Sequence, residues 1–232
     1  MEKILNITNM CAGYQLGLDV IRNISFSLEK GETFAILGNN GCGESTLAKA
    51  IVGLTHFRSG SIIYFGKSIE QLPIDSLQSL GISMMLQGGQ VFPNLSVWEN
   101  LQLASRHLED KEIFRSVMDT IPLLRNSKKS HLNKSADKLS GGERHQLALA
   151  MTLLSGRDLA ILDEPTAGLT PSATNALYET LKNVRDAFGT SFLIIEHNAQ
   201  VGTFASKYGF MDRGELVYQG NDLDIVKELM YK

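Results

Sequence analysis

The alternation of apolar and polar stretches along the chain predicts strands that alternate with helices. Short apolar stretches rich in β-branched residues are typical of buried strands. They fall at residues 4–7, 24–28, 33–37, 62–65, 82–86, 159–162, 192–195 and 216–218. Longer stretches with helical periodicity fall at residues 45–52, 142–154, 171–188 and 223–230. This alternation favours an α/β fold with a mainly parallel sheet core flanked by helices on both faces.

One segment, residues 97–138, breaks this alternation. It is helical in pattern, rich in charged residues, and contains a polar run at residues 126–130. We interpret it as a helical subdomain inserted into a single domain over residues 1–232, in which residues 1–96 and 139–232 form the core. No internal repeat or low-complexity segment divides the chain further.

Composition and charge narrow the class of protein. The 232 residues, 43% of them hydrophobic, suffice for a sizeable core. A formal net charge of -3 argues against a nucleic-acid partner. Two cysteines make no disulfide framework and indicate a reducing compartment. Because we find neither a secretory signal nor about 20 consecutive apolar residues, we expect a cytoplasmic location, with any membrane spanned by a partner.

A glycine-rich turn follows the predicted strand at residues 33–37 and leads directly into a helix. The turn consists of Gly38, Asn39, Asn40, Gly41, Cys42, Gly43, Glu44, Ser45 and Thr46. Glycines in this context let backbone N–H groups converge on phosphate oxygens, and the helix N-terminus favours an anion. The Ser45 hydroxyl can bind magnesium, and a lysine normally occupies the position of Glu44 to reach the β- and γ-phosphates.

The glutamate at position 44 reverses the charge that this motif requires. Two unit charges ~4 Å apart interact by about 4 kcal/mol at an effective dielectric of ~20. Loss of that attraction, together with the new repulsion, predicts strongly weakened nucleotide binding or nearly abolished hydrolysis. We interpret Cys42, between Gly41 and Gly43, as a small residue that fits the turn, and a redox role is the alternative.

Two further segments carry candidate chemistry. The apolar run at residues 159–162 ends in Asp163 and Glu164, at the carboxyl end of a buried strand, where open α/β sheets bind ligands. One carboxylate can hold magnesium while the other polarises an attacking water. Ser140, Gly141 and Gly142 open another helix and form a second candidate anion site.

The phosphate loop, the run at residues 139–143 and the run at residues 163–166 resemble, in this order, the ABC transporter ATPases. The resemblance extends over essentially the whole chain, and it implies a P-loop NTPase fold with an antiparallel β portion and bound ATP and Mg²⁺. It also implies the positions of the family's motifs: a Walker A loop at residues 38–46, a glutamine loop at Gln87, a signature at residues 139–143 and a D-loop at residues 167–170. Ser45, Gln87 and Asp163 would contact magnesium. Glu164 would be the catalytic glutamate, His197 the switch histidine, and Tyr14 would stack on adenine.

The same resemblance implies partners. Two such domains pack head to tail, each ATP lies between one Walker A loop and the other signature, and transmembrane permease subunits dock on the helical insertion and on residues 91–95. The sequence of residues 91–101 and 164–169 is most similar to that of ATPases of branched-chain amino acid or urea importers. Gln90 is the alternative to Gln87, which we prefer because it follows the strand directly.

The origin of Glu44 has two interpretations. An introduced or accidental substitution in a competent ATPase is favoured, because Glu164 and His197 are intact. Alternatively, the chain is a natural degenerate subunit that pairs with an intact ATPase. An ABC protein acting on DNA or ribosomes is disfavoured, because the sequence shows no long coiled-coil insertion and no second such domain.

Overall fold

The computed structural model describes residues 2–105, 111–125, 127–156 and 158–230. The strands are β1 (Lys3–Gly13), β2 (Ile21–Glu29), β3 (Thr33–Gly38), β4 (Phe57–Tyr64), β5 (Lys67–Ser68), β6 (Ile82–Met85), β7 (Leu159–Asp163), β8 (Ser191–Glu196), β9 (Lys207–Asp212) and β10 (Glu215–Gly220). The helices are α1 (Glu44–Ile51), α2 (Ile74–Ser79), α3 (Val97–Ala104), α4 (Lys111–Thr120), α5 (Lys129–Leu132), α6 (Gly141–Ser155), α7 (Pro171–Phe188) and α8 (Leu223–Met230), with 3₁₀ turns at Ala136–Lys138 and Ala199–Thr203. None of these helices is both long and apolar enough to cross a bilayer.

The main sheet has the strand order β10-β9-β3-β8-β7-β6 in the described part of the chain. Strands β9, β3, β8, β7 and β6 pair in parallel, whereas the edge strand β10 is antiparallel to β9. Strands β3, β7 and β8 are buried along their whole lengths, because the sheet is covered on both faces. Their carboxyl ends therefore lie side by side at one edge of the sheet.

A second sheet, antiparallel, has the order β2-β1-β4-β5. One apolar cluster joins it to α1 and to one face of the main sheet, and Phe26 of β2 meets Phe34 of β3 with ring centroids 5.2 Å apart. The predicted α/β fold with a parallel core and an antiparallel portion is confirmed. Helix α1, which begins at the phosphate loop, is held between the two sheets.

Some elements differ from the prediction. Strand β9 has no counterpart in the predicted set, because Gly209 interrupts its apolar pattern. A Cβ atom there would lie 2.9 Å from Leu216 Cδ1 and 3.1 Å from Phe34 Cζ, so a larger residue would require these side chains to shift. Strand β5, with two residues, and helix α2, with six, are too short to leave a periodic pattern. The predicted strand at residues 4–7 continues to Gly13 through irregular pairing.

The predicted helical segment at residues 97–138 contains α3, α4, α5 and a 3₁₀ turn. Residues 106–110 and 126 of this segment lie outside the described residues. Val97 and Leu101 of α3 share one apolar cluster with Leu147 and Leu149 of α6. The helical segment is therefore packed onto the core helix that follows the predicted signature.

Candidate nucleotide site

The loop between β3 and α1 is a tight turn open to solvent. Gly41 and Gly43 have φ angles of 82° and 107°, a region that favours glycine. A side chain at Gly38 would lie 2.6 Å from both Cys42 Sγ and the Met211 carbonyl oxygen. Asn39, Asn40 and Gly41 are exposed, whereas Thr46 is buried in the first turn of α1. The backbone thus has the form of a phosphate loop, with a helix N-terminus behind it.

The side chain of Glu44 points into this loop. It is only 4% exposed, and its Oε1 atom, which lies 2.9 Å from the Cβ position of a side chain at Gly38, has no hydrogen-bond partner among the described residues. Its Oε2 atom lies 3.7 Å from Nε2 of His197. Burial raises the pKa of Glu44 to about 7; the nearby imidazole of His197 opposes this rise, whereas the carboxyl of Glu164 adds to it. A carboxyl group therefore lies where the motif normally presents a cation.

Cys42 is buried under the same loop. Burial raises the pKa of its thiol to about 12, and the neighbouring Glu44 carboxyl adds to the rise. Reactive cysteines are exposed and have lowered pKa values, so this environment favours the packing interpretation of Cys42 over the redox alternative.

Ser45 and Asp163 meet at the base of the loop. The Ser45 hydroxyl donates a hydrogen bond of 2.8 Å to Oδ1 of Asp163, which is 1% exposed. Burial raises the pKa of Asp163, and the Ser45 hydrogen bond opposes the rise. A hydroxyl and a carboxylate that converge in this way suit Mg²⁺, which prefers oxygen ligands and keeps several from water or phosphate. No cluster of three or more His, Cys, Asp or Glu side chains in the described ranges could hold a metal by itself.

Glu164 connects two other predicted site residues. Its Oε1 accepts from Nε2 of His197 at 3.2 Å, and its Oε2 accepts from Nε2 of Gln87 at 2.6 Å. His197 also donates from Nδ1 to the Gly38 carbonyl at 3.0 Å. Burial lowers the pKa of His197, but the carboxyls of Glu44 and Glu164 and the Gly38 carbonyl outweigh it and raise that pKa. The structure therefore brings the three predicted catalytic residues together beside the phosphate loop.

The backbone at Glu164 is itself unusual. Its φ angle is 48°, in the left-handed region that few residues other than glycine adopt. Its N–H donates to the Ile195 carbonyl oxygen of β8 at 3.0 Å, which fixes the turn against the neighbouring strand. Residues held in this conformation cluster at functional sites.

A buried carboxyl that the sequence did not single out supports the same edge of the sheet. Glu196 is 3% exposed, and its Oε1 accepts hydrogen bonds from the Thr166 N–H at 3.0 Å and the Thr166 hydroxyl at 2.7 Å. It ties the end of β8 to the turn after β7. The position of Glu196 at the end of a buried strand could have indicated a site residue, but a functional role was predicted only for the adjacent His197.

The predicted signature forms the start of α6. Ser140 is the N-cap: its hydroxyl accepts from the Glu143 N–H at 3.3 Å, and Glu143 Oε2 accepts from the Ser140 N–H at 2.8 Å. This reciprocal capping box fixes the first turn. Ser140 and Gly141 are exposed, and Gly142 is partly exposed. The turn therefore presents its free N–H groups to the surface.

Tyr14 lies in an exposed apolar loop between β1 and β2. The ring is 40% exposed and meets His56 edge-on, with ring centroids 6.1 Å apart. The same loop reaches the phosphate loop at Val20, whose carbonyl oxygen lies 3.2 Å from the Cβ position of a side chain at Gly43. Tyr14 is thus on a segment adjacent to the phosphate loop.

A groove of about 420 Å³ lies between the main sheet and the predicted insertion. Its lining includes Met84, Met85, Gln90, Phe92, Leu103 and Met151. Phe92 is 50% exposed, so the apolar surface predicted for docking is present. Gln90, the alternative to Gln87, lines this groove, whereas Gln87 contacts Glu164.

Comparison with known proteins supports these observations. The model of the family described as ABC transporter matches residues 21–167. The chain is 34% identical over 200 residues to the probable branched-chain amino acid transport ATP-binding protein LivF of Archaeoglobus fulgidus, covering 85% of this chain and 83% of the relative. It is 32% identical over 209 residues to the spermidine/putrescine import ATP-binding protein PotA of Thermotoga maritima, covering 89% of this chain but only 55% of the relative.

Among solved structures, cbiO1 from Clostridium perfringens, part of the ABC transporter complex cbiONQ, is similar over the whole molecule. The TM-score is 0.83 at 27% sequence identity, and the match covers 100% of this chain and 93% of that chain.

Proposed function

The chain belongs to the ABC transporter family of ATP-binding subunits, and we propose that its own phosphate loop is disabled by Glu44. Members of this family bind ATP with Mg²⁺ and couple its binding and hydrolysis to transport. In this chain the predicted catalytic residues Glu164, His197 and Gln87 adjoin one another, so the machinery around the loop is assembled. The residue at position 44 is the exception.

The burial of the Glu44 carboxyl inside the loop carries this proposal. A triphosphate would bring negative charge to within a few ångströms of Glu44, Asp163 and Glu164, with no lysine at position 44 to offset it. Each unpaired contact of this kind costs about 4 kcal/mol at ~4 Å and an effective dielectric of ~20. The residues at Ser45 and Asp163 fit Mg²⁺, but Glu44 does not fit the terminal phosphates. ATP binding at this site is therefore opposed, and hydrolysis is lost with it.

The decisive test compares the protein with its Glu44→Lys and Glu44→Gln variants. Nucleotide affinity is measured by titration calorimetry with ATP and magnesium, and hydrolysis by phosphate release. We expect Glu44→Lys to bind ATP up to about a thousandfold more tightly, the equivalent of about 4 kcal/mol, and to hydrolyse it. Glu44→Gln, which removes the repulsion but adds no cation, should gain binding with little hydrolysis.

The outcomes are distinct. If the protein with Glu44 already hydrolyses ATP as fast as Glu44→Lys, the proposal is wrong. If Glu44→Lys binds ATP but does not hydrolyse it, the loop is repaired and the missing part is a second subunit.

A second function is favoured by the intact signature. Ser140 and Glu143 keep a well-formed capping box on an exposed turn, although the phosphate loop of the same chain is altered. Such a chain can complete the phosphate loop of an intact partner ATPase while its own site serves a structural role. Mixing the chain with a relative that has an intact Walker A loop distinguishes this function, because hydrolysis then depends on Ser140 of this chain and not on Glu44.

The transport role implies membrane partners. We infer that permease subunits dock in the groove lined by Phe92 and hold the chain at the cytoplasmic face of the membrane. The similarity to LivF supports an amino-acid importer, while the similarity to PotA, of which the chain spans about half the length, supports import of a polyamine. Of the two, we favour the amino-acid importer, because the sequence of residues 91–101 resembles that of ATPases of branched-chain amino acid importers.

A further inference from the structure

The predicted glutamine loop and the first turn of α6 both contact the side chain of His145. This residue is 7% exposed. A side chain at Gly89 would have its Cβ 3.3 Å from both Cα and Cγ of His145. Gly89 therefore packs against His145, and a larger residue at position 89 would require His145 to shift.

The other side of the ring holds the signature. Nδ1 of His145 lies 3.0 Å from the Gly141 carbonyl oxygen. Because a carbonyl oxygen only accepts, Nδ1 carries the proton and donates it. Nε2 is buried and has no hydrogen-bond partner among the described residues. The ring is thus fixed by one hydrogen bond, to the glycine that follows the N-cap Ser140.

The glutamine loop is anchored to Glu164 by Gln87 and forms a turn that ends at Gly89. Gln87 donates to Glu164 Oε2 at 2.6 Å, so it follows the carboxylate that would activate water. Gly88 and Gly89 have φ angles of 83° and 58°, in the region where glycine is least restricted. The Gly89 N–H donates to the Leu86 carbonyl oxygen at 3.3 Å and closes a turn around Gln87 and Gly88. A displacement of Gln87 therefore moves Gly89 against His145.

We propose that His145 is a positioning residue that transmits the position of the glutamine loop to the Gly141 end of the signature helix. It contacts neither nucleotide nor reacting atoms. Its effect is to couple Glu164 of one site to the signature turn that serves the other site of a dimer. This coupling is a property of the chain itself and does not depend on whether Glu44 permits ATP binding.

A double-variant NMR experiment on the nucleotide-free protein tests this role, since coupling between contacting residues is measured by such cycles. Gln87→Ala releases the loop from Glu164, and the readout is the ¹H–¹⁵N amide signals of Gly141 and Gly142. We expect Gln87→Ala to shift both signals by more than a line width. In a His145→Phe background, which keeps a ring against Gly89 but lacks the donor, the same substitution should leave them in place.

Rescue and failure are equally specific. His145→Asn places an amide N–H where Nδ1 lies, so the response of Gly141 and Gly142 to Gln87→Ala should return. If His145→Phe does not fold, His145→Leu, which also lacks the donor, replaces it. A full response without the donor, or no response with His145 present, overturns the proposal. A residue that only fills space would give the full response in every background.

Discussion

Glu44 carries a carboxyl group into a part of the fold built to hold an anion. The N-terminus of α1 and the glycines before it favour negative charge, yet the loop leaves Glu44 Oε1 without a hydrogen bond. Burial disfavours the ionised form, so the pKa of Glu44 rises from 4.5 to about 7. Between these two pH values the folded state therefore keeps a proton that the unfolded chain has released.

This proton predicts how stability changes with pH. The stabilisation is complete below about pH 4.5 and is lost as the pH rises towards about 7, where Glu44 ionises in the folded protein. Glu44→Gln is neutral at every pH. Between about pH 4.5 and 8, its free energy of unfolding should gain on the order of 3 kcal/mol relative to the unaltered protein. Urea unfolding at a series of pH values measures the difference.

A control comes from Glu2, which is exposed and lies outside the loop. Glu2→Gln also removes one carboxyl group, and it is measured over the same pH series for comparison. A constant difference between Glu44→Gln and the unaltered protein at all pH values would show that Glu44 has the same pKa in the folded and unfolded states, and it would contradict the prediction.

Several site residues could be predicted from the sequence, because each lies in a motif with a local backbone meaning. Ser45 follows the glycine turn, and Asp163 ends a wholly apolar strand, so their contact follows from parallel strands that end at one edge. Glu196 and His145 could not be predicted in the same way. Their partners, Thr166 and Gly89, are distant in the chain, and no sequence spacing indicates these contacts.

Two helices begin with the same capping box, at Ser96 with Glu99 and at Ser140 with Glu143. Each serine satisfies one free N–H of the first turn, so each should contribute about 1 kcal/mol to the free energy of unfolding. The two caps differ in place: Ser140 opens the predicted signature, whereas Ser96 opens α3. Stability and catalysis can therefore be separated with one matched pair.

In a Glu44→Lys background, Ser96→Ala and Ser140→Ala should each lower the free energy of unfolding by about 1 kcal/mol. Only Ser140→Ala should reduce ATP hydrolysis, by about tenfold or more, the effect of one lost hydrogen bond to a charged group. Thermal unfolding and phosphate release give the two readouts. Equal losses of hydrolysis in both variants would mean that the caps act through stability alone.

Elements with long or uniform patterns were predicted closely, and short or interrupted ones were not. Helices α7 and α8 have the predicted bounds, since α7 starts with the N-cap Thr170 followed by proline. Strand β9 depends on a glycine that its neighbours require, and β5 depends on pairing with β4. Tertiary contacts define those two strands, so their local sequence carries little signal.

At the scale of the molecule, the predicted insertion and the core share one apolar cluster. Val97 and Leu101 of α3 pack with residues of α6. Trp98, the single tryptophan of the chain, lies in α3 and meets Phe114 of α4 with ring centroids 5.6 Å apart. Its fluorescence therefore reports on the insertion alone, whereas circular dichroism reports on the whole chain.

We expect the two signals to change together in urea, as a single transition with one midpoint. The reason is that exposing the apolar face of α6 would lower the stability of the core as much as that of the insertion. If the Trp98 signal changes at a lower urea concentration, the insertion unfolds by itself and residues 97–138 form a separate cooperative unit.

The burial of Cys42 also makes the two cysteines differ in their accessibility to a thiol reagent. Cys42 Sγ lies beneath Gly38, beside the Glu44 side chain, whereas Cys11 is partly exposed on β1. A thiol reagent thus meets one accessible cysteine and one that is covered until the turn at Gly38 lifts away. We therefore expect Cys11 to be alkylated faster than Cys42, and the slower step to report the opening of the phosphate loop.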